Sequence, residues 1–293
     1  MIYRVLFILA FSLLAWANSS AQEGVDRMGY TIVTDASDRQ IMVMWGPIQV
    51  GETDDRARFL SFARSNPGIR EFWLASGGGN PDAAMNIGQL IRKTRLPVRV
   101  PSYQRLRAAV EREQTIPGRA MAVAPLATWV QNRKSVQCSS ACGYLLIAGE
   151  ARFVDREFSV GLHASRADAA VALMIKLSGN ADPEFVNTLY KDFERSMQNA
   201  VARKGTFLAD MSVSLGYSEI STAVPAQCMY YLSASEMTQL NLTNVNGFQT
   251  QSGGSQYGKC DCWAISRSDP EFGKYNRVCE QSARSRSSVW VID

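Results

Sequence analysis

Apolar residues cluster and alternate through residues 30–50, which begin YTIVTDASDRQIMVMWGPI, and this predicts a β-hairpin turning at Ala36-Ser37-Asp38. The spacing then changes, with Ala57, Phe59, Leu60 and Ala63 as the apolar positions of a short helix over 54–66. The run EFWLA at 71–75 predicts a compact strand that stops at Ser76-Gly77-Gly78-Gly79. Asn80 suits the N-cap of the next helix, Pro81 its first turn and Asp82 the positive end of its dipole. That helix reaches about residue 95, with Ala84, Ile87, Leu90 and Ile91 on one face, and a strand over 96–100 follows. Strand, tight turn, helix and strand make a βαβ unit, with parallel pairing and a right-handed crossover.

The pattern loosens over 101–135, where a polar, arginine-containing helix, Pro117-Gly118 and a second helix over 120–130 read as a helical insertion. A helix over 138–149 and short strands at 152–154 and 158–162 come next, then helices over 166–177, 183–204 and about 207–215. Phe185, Leu189, Phe193 and Met197 recur every four residues, as a core stripe does. CMYYL at 228–232 predicts a strand, and Ser233-Ala234-Ser235-Glu236 has capping-box spacing at the start of a further helix. Past Gly247 the composition shifts to Gln, Ser and Gly, and no internal repeat is visible.

At the start, Arg4 precedes a short apolar run over 5–16 and small residues ending at Ala17 or Ala21. This reads as a signal peptide over 1–21, followed by a main domain over 22–247 and a Cys-containing extension over 248–293. No later apolar run is long enough to span a bilayer, so the expectation is a periplasmic or secreted protein with no integral span after processing. A hydrophobic content of 46% supports a substantial core, and a formal charge of +4 with interspersed signs gives no footing for nucleic acid. Arg105, Arg107, Arg112, Arg119, Arg133 and Lys134 are interrupted by Glu111 and Glu113, as on a solvated face. Six cysteines, at 138, 142, 228, 260, 262 and 279, point to disulfides in an oxidising compartment, and six allow 15 pairings. One histidine and no CxxC argue against zinc, and SGGGN matches neither nucleotide-loop pattern, so no metal or cofactor is expected.

The chemistry concentrates in QCSSACGYLLIAG at 137–149. Ser140 stands at a predicted helix start, where a neighbouring N–H and the helix dipole favour an oxyanion. His163, the chain's one histidine, supplies an imidazole base, and Gly78 and Ala141 offer two backbone donors. Each piece alone has a structural reading: a tight turn, a helix cap, a half-buried histidine. Cys138 and Cys142 flank the serine, as buried small residues or in a disulfide that fixes the turn.

In their order, S-G-G-G, S-S-A-C-G-Y-L-L-I-A-G, V-G-L-H and Y-L-S-A-S-E resemble the Clp protease proteolytic-subunit and crotonase superfamily over roughly residues 30–245, nearest its exported Clp-protease-like proteins. The resemblance implies an α/β spiral of repeated ββα units carrying the helical insertion and the small Cys-containing tail. It implies a serine peptidase acting on peptide or protein substrates, with Ser140 as nucleophile, His163 as base and Gly78 and Ala141 as the oxyanion hole. Relatives of this fold assemble, so a homo-oligomer is expected. Two departures stand out: Gly77 replaces a proline, and Met229 occupies the position of the superfamily's triad aspartate. Asp182, Asp192 and Asp210 are the substitutes in view, and no lysine has the spacing of a Ser–Lys dyad. Loss of the acid costs on the order of 10⁴ in rate, which favours the alternative of a catalytically inactive exported binding or scaffold protein. A crotonase-type acyl-thioester enzyme ranks last, because coenzyme A thioesters are cytoplasmic and no adenine-binding motif is visible.

Overall fold

The computed structural model describes residues 27–49, 55–164, 183–225, 228–244, 255–262 and 272–287. The expected signal peptide, the helix over 166–177 and Asp182 lie outside them. The chain opens with β1 (Gly29–Thr34), β2 (Gln40–Trp45), α1 (Asp55–Ser65), β3 (Ile69–Ala75), α2 (Pro81–Thr94) and β4 (Val98–Val100). Helices α3 (Tyr103–Thr115) and α4 (Ala120–Gln131) precede β5 (Cys138–Ser139), α5 (Cys142–Ile147), β6 (Arg152–Val154) and β7 (Val160–Leu162). The remainder is α6 (Pro183–Asp210), α7 (Gly216–Ala223), β8 (Cys228–Tyr231), α8 (Ala234–Gln239), β9 (Lys259–Cys262) and α9 (Phe272–Ser287).

The result is a mixed α/β protein with two mixed sheets. In the first, ordered β1-β2-β3-β4-β6, only the β1–β2 hairpin is antiparallel. Asp35 fixes the hairpin turn, its carboxylate accepting from the amides of Ser37 and Arg39 at 2.9 and 3.0 Å. Register places Tyr30, Met42, Met44 and Phe72 on one face, where Phe59 of α1 meets Tyr30 and Phe72. Trp45 lies on the other face against Trp129 of α4, with ring centroids 5.9 Å apart. Covering both faces explains why β2 and β3 read as near-continuous apolar runs.

Between β4 and the serine turn, α3 and α4 pack on each other and on β1. Buried Glu113 ties them down, accepting from the Thr34 amide at 2.7 Å and from the Thr34 hydroxyl. Five of the basic residues here are engaged internally. Arg105 pairs with Asp155 at 2.6 Å, Arg107 with Glu111 at 2.7 Å and Arg119 with Glu113 at 3.2 Å. Arg112 reaches Asp38, and the Arg133 guanidinium lies over the Trp129 ring.

In the second sheet β5 runs parallel to β7, β7 antiparallel to β8, and β8 antiparallel to β9. A bridge between Ser76 and Cys138 joins the sheets just past the end of β3. All six cysteines are paired, as Cys138–Cys142, Cys228–Cys262 and Cys260–Cys279. The sulfurs of Cys228, Cys262 and Cys279 cluster within 4.8 Å, but as members of two touching disulfides they offer no thiolate to a metal. No helix among the described residues is long and apolar enough to cross a membrane.

Several boundaries differ from the pattern reading. Helix α6 runs unbroken through Gly205 to Asp210, absorbing the start of a helix expected at 207–215, and α7 follows after a turn at Ser212, whose φ is 56°. Met197 on α6 is half-buried, while the side chains of 185, 189 and 193 lie outside the described residues. The tail, read as a polar stretch where disulfides replace a core, holds both β9 and α9.

Candidate active site

The site forms where parallel strands end. After β3 the chain turns through Ser76 to Gly79, with Gly78 at φ 95° and Gly79 at φ 141°. Ile48 secures this turn, donating to Gly78 O at 2.8 Å and accepting from Asn80 N at 2.8 Å. Asn80 caps α2 as expected, its side chain accepting from Ala83 N at 2.9 Å.

The segment expected as one helix over 138–149 divides differently. Cys138 and Ser139 form a two-residue strand held from both sides. Ser139 N donates to Ser76 O at 3.0 Å, and Cys138 N donates to Ser159 O at 2.8 Å. Helix α5 begins only at Cys142, with Ala141 as its N-cap, so Ser140 precedes the helix and does not cap it. With six residues α5 has little macrodipole, and nearby backbone amides are the better oxyanion donors.

Ser140 sits at φ 55°, a left-handed conformation that few non-glycine residues adopt. Its amide donates to Gly161 O at 2.7 Å, two residues before His163, and Cys138–Cys142 closes a ring around it. Gly78 packs directly on this turn. A Cβ on Gly78 would strike Ser139 O and lie 2.6 Å from Ser140 Cβ and 3.0 Å from Ala141 N. Three expected site residues, Gly78, Ser140 and Ala141, therefore meet. The Gly78 amide donates to Ser76 Oγ at 3.1 Å, while no backbone carbonyl among the described residues accepts from Ala141 N–H. His163 follows β7, half-buried, with Nδ1 turned into the protein.

The position expected to hold the acid carries an apolar side chain. Met229 is buried on β8, and its Cγ and Sδ lie 2.7 and 2.8 Å from where a Gly161 Cβ would be. Of the aspartates in view, Asp192 and Asp210 are both exposed on α6, Asp192 lying 3.8 Å from Arg195.

Behind the turn, Gly143 admits the Tyr217 hydroxyl into the space a side chain would take. Tyr144 stacks edge-on with Tyr217 and Phe207 at 5.9 and 5.7 Å. Burial pushes both tyrosines above the usual phenol range. Sequence reasoning missed one polar pair, Lys204 on α6, whose Nζ donates to Ser221 Oγ on α7 at 3.0 Å. Burial pushes the Lys204 ammonium down to about 8. The pair lies near the site, since Val224 at the end of α7 accepts from Ala164 N at 3.1 Å, beside His163. Ser221 is inside a helix with its hydroxyl donating to Ser218 O at 3.1 Å, an arrangement that suits packing better than attack.

Comparison with protein-family models, curated proteins and solved structures finds no match to this chain.

Proposed function

We propose that this chain is an exported serine hydrolase, a peptidase built on a Clp-protease/crotonase-like spiral, acting on peptide or protein substrates without metal or cofactor. The observation that carries this reading is Ser140. It is held at φ 55°, with Gly78 against its Cβ and its amide on the strand that leads to His163. In the proposed reaction Ser140 Oγ attacks the scissile carbonyl carbon while His163 takes the hydroxyl proton. With Nδ1 turned inward, the step falls to Nε2. The oxyanion is met by Ala141 N–H and by Gly78 N–H, which exchanges Ser76 Oγ for the substrate oxygen. Collapse breaks the C–N bond, His163 protonates the leaving amine, and water activated by the same imidazole releases the acyl group from Ser140.

Paired cysteines and a first segment that reads as a signal peptide support export to the periplasm or beyond. Self-assembly into a homo-oligomer belongs to the same reading. The second reading, an inactive binding protein of the same fold, is favoured by Met229 at the acid position. A fluorophosphonate probe separates the two. Labelling of the wild type that disappears in Ser140→Ala is expected, and folded wild type that never labels removes the hydrolase.

The bridge around Ser140 gives a further expectation. Replacing both Cys138 and Cys142 with alanine leaves Cys228–Cys262 and Cys260–Cys279 intact but frees the turn. Displacing a reacting group by about 1 Å costs on the order of 10²-fold, and labelling is expected to slow by about that factor. Unchanged labelling kinetics in the double variant would mean that the bridge plays no part in presenting the serine.

A further inference from the structure

We propose that Asp261 is the acid that positions His163, supplied by β9 instead of β8. The proposal rests on the hydrolase reading above, and the register of the second sheet carries it. Leu162 faces Tyr230 across β7 and β8, and Met229 faces Asp261 across β8 and β9. The β7–β8 ladder ends at Leu162, and one residue further on His163 comes level with Met229, at the end of the row that Met229 and Asp261 form. Residues directly opposed in an antiparallel ladder project to the same face.

Gly161 fixes which face this is. A Cβ there would lie 2.7 Å from Met229 Cγ and 2.9 Å from Ser139 Oγ, so Gly161 and Met229 share a side. His163, two residues further on, shares it too. The same contact shows where the methionine goes. It leans over Gly161, into space that only glycine leaves, and off the line between His163 and Asp261.

Asp261 is fixed in place from the opposite side. Cys260 and Cys262 alternate with it and face away, bonded to Cys279 of α9 and to Cys228 of β8. Their amides donate to Glu280 at 3.2 Å and Asn276 at 3.1 Å, which docks α9 along β9. Asp261 is thus held between two half-cystines anchored to different elements, and it is turned from α9 toward the face of His163. Lys259 shares that face with its ammonium over the Phe158 ring. Two strand spacings separate the His163 and Asp261 backbones, about 10 Å. An imidazole and a carboxylate leaning together narrow that span to the reach of one bridging water. From there the carboxylate holds the proton on the buried Nδ1 and stabilises the imidazolium formed when Ser140 gives up its proton. The acid that Met229 displaces from β8 is regained one strand over.

With a single histidine in the chain, ¹⁵N-histidine labelling gives one imidazole to follow. In Asp261→Asn the imidazole titration midpoint is expected to fall by about one pH unit. Ser140 labelling by fluorophosphonate is expected to slow on the order of 10⁴-fold. Asp261→Glu should restore most of both, and Asp210→Asn should behave as wild type. An Asp261→Asn protein with all three disulfides and an unchanged midpoint overturns the proposal. Should that variant fail to fold, the wild type decides: a neutral imidazole protonated on Nδ1 supports the pairing, and one protonated on Nε2 overturns it. A midpoint that responds to Asp261→Asn in a wild type that never labels keeps the pairing and removes the hydrolase, so the two readings fail separately.

Discussion

Gly78→Ala is expected to lower the melting temperature by about 10 °C and to abolish fluorophosphonate labelling of the protein that remains folded. Two costs add. At φ 95° a residue with a Cβ is strained, by roughly 1–2 kcal/mol. The new methyl also meets Ser139 O, Ser140 Cβ and Ala141 N, all of them backbone or backbone-fixed atoms that no rotamer change can clear. Overpacking of this kind costs roughly 1–3 kcal/mol, and in a domain of this size each kcal/mol lowers the midpoint by roughly 2–4 °C. Relief comes only by moving the turn at Ser140, which takes the hydroxyl out of position. Gly77→Ala is the control: that residue is exposed and outside the left-handed region, so it should melt and label as wild type does. Wild-type melting and labelling in Gly78→Ala would show that this turn does not press on Ser140.

Where local chemistry decides structure, the sequence was readable. The β1–β2 hairpin, Asn80 and Pro81 at the start of α2, and the capping box of Ser233 and Glu236 are set by neighbours in sequence, and each stands where expected. The break at Gly78 was likewise visible as a glycine cluster after an apolar run. Less was visible where partners lie far apart. Cys138 and Ser139 are a strand only because Ser76 and Ser159 supply hydrogen bonds from both sides, and two residues carry no periodicity of their own. Ser140 was therefore placed at the start of a helix that begins two residues later.

The tail concealed most. KCDC has the alternation of a strand, yet β9 exists by pairing with β8 and by bonds to Cys228 and Cys279, distant residues that 15 possible pairings could not select. Asp261 lies past residue 245, where the resemblance ends, whereas the expected substitutes Asp182, Asp192 and Asp210 lie before it, and Asp192 and Asp210 are exposed on α6. Read with period two, Cys-Asp-Cys already sends Asp261 to the face opposite its cysteines.

Lys204 gives the pH dependence of stability an unusual sign. Its folded pKa, about 8, lies below the ordinary lysine value of 10.5, and desolvation is the cause. Below pH 8 both folded and unfolded chains hold the proton, and the native state bears the full cost of the buried ammonium. Between pH 8 and 10.5 the native state sheds the proton while the unfolded state keeps it, so stability rises with pH. The full gain is roughly 3 kcal/mol. Three buried tyrosines act against it at higher pH. Tyr144, Tyr217 and Tyr230 are all pushed above the phenol value of 10.0. Unfolded tyrosines ionise there and native ones do not, so stability falls above pH 10. The folded protein is therefore expected to resist urea more at pH 9.5 than at pH 7.5, by roughly 1–2 kcal/mol, and to lose that gain above pH 10. Lys204→Met keeps the length and apolar contacts of the stem but carries no charge, leaving Ser221 its bond to Ser218 O. The variant should be more stable than wild type at pH 7.5 and should lose the rise between pH 8 and 10 while keeping the later fall. A wild-type urea midpoint that stays flat or drops between pH 7.5 and 9.5 would mean that the Lys204 ammonium is solvated, and that α6 and α7 do not close over it.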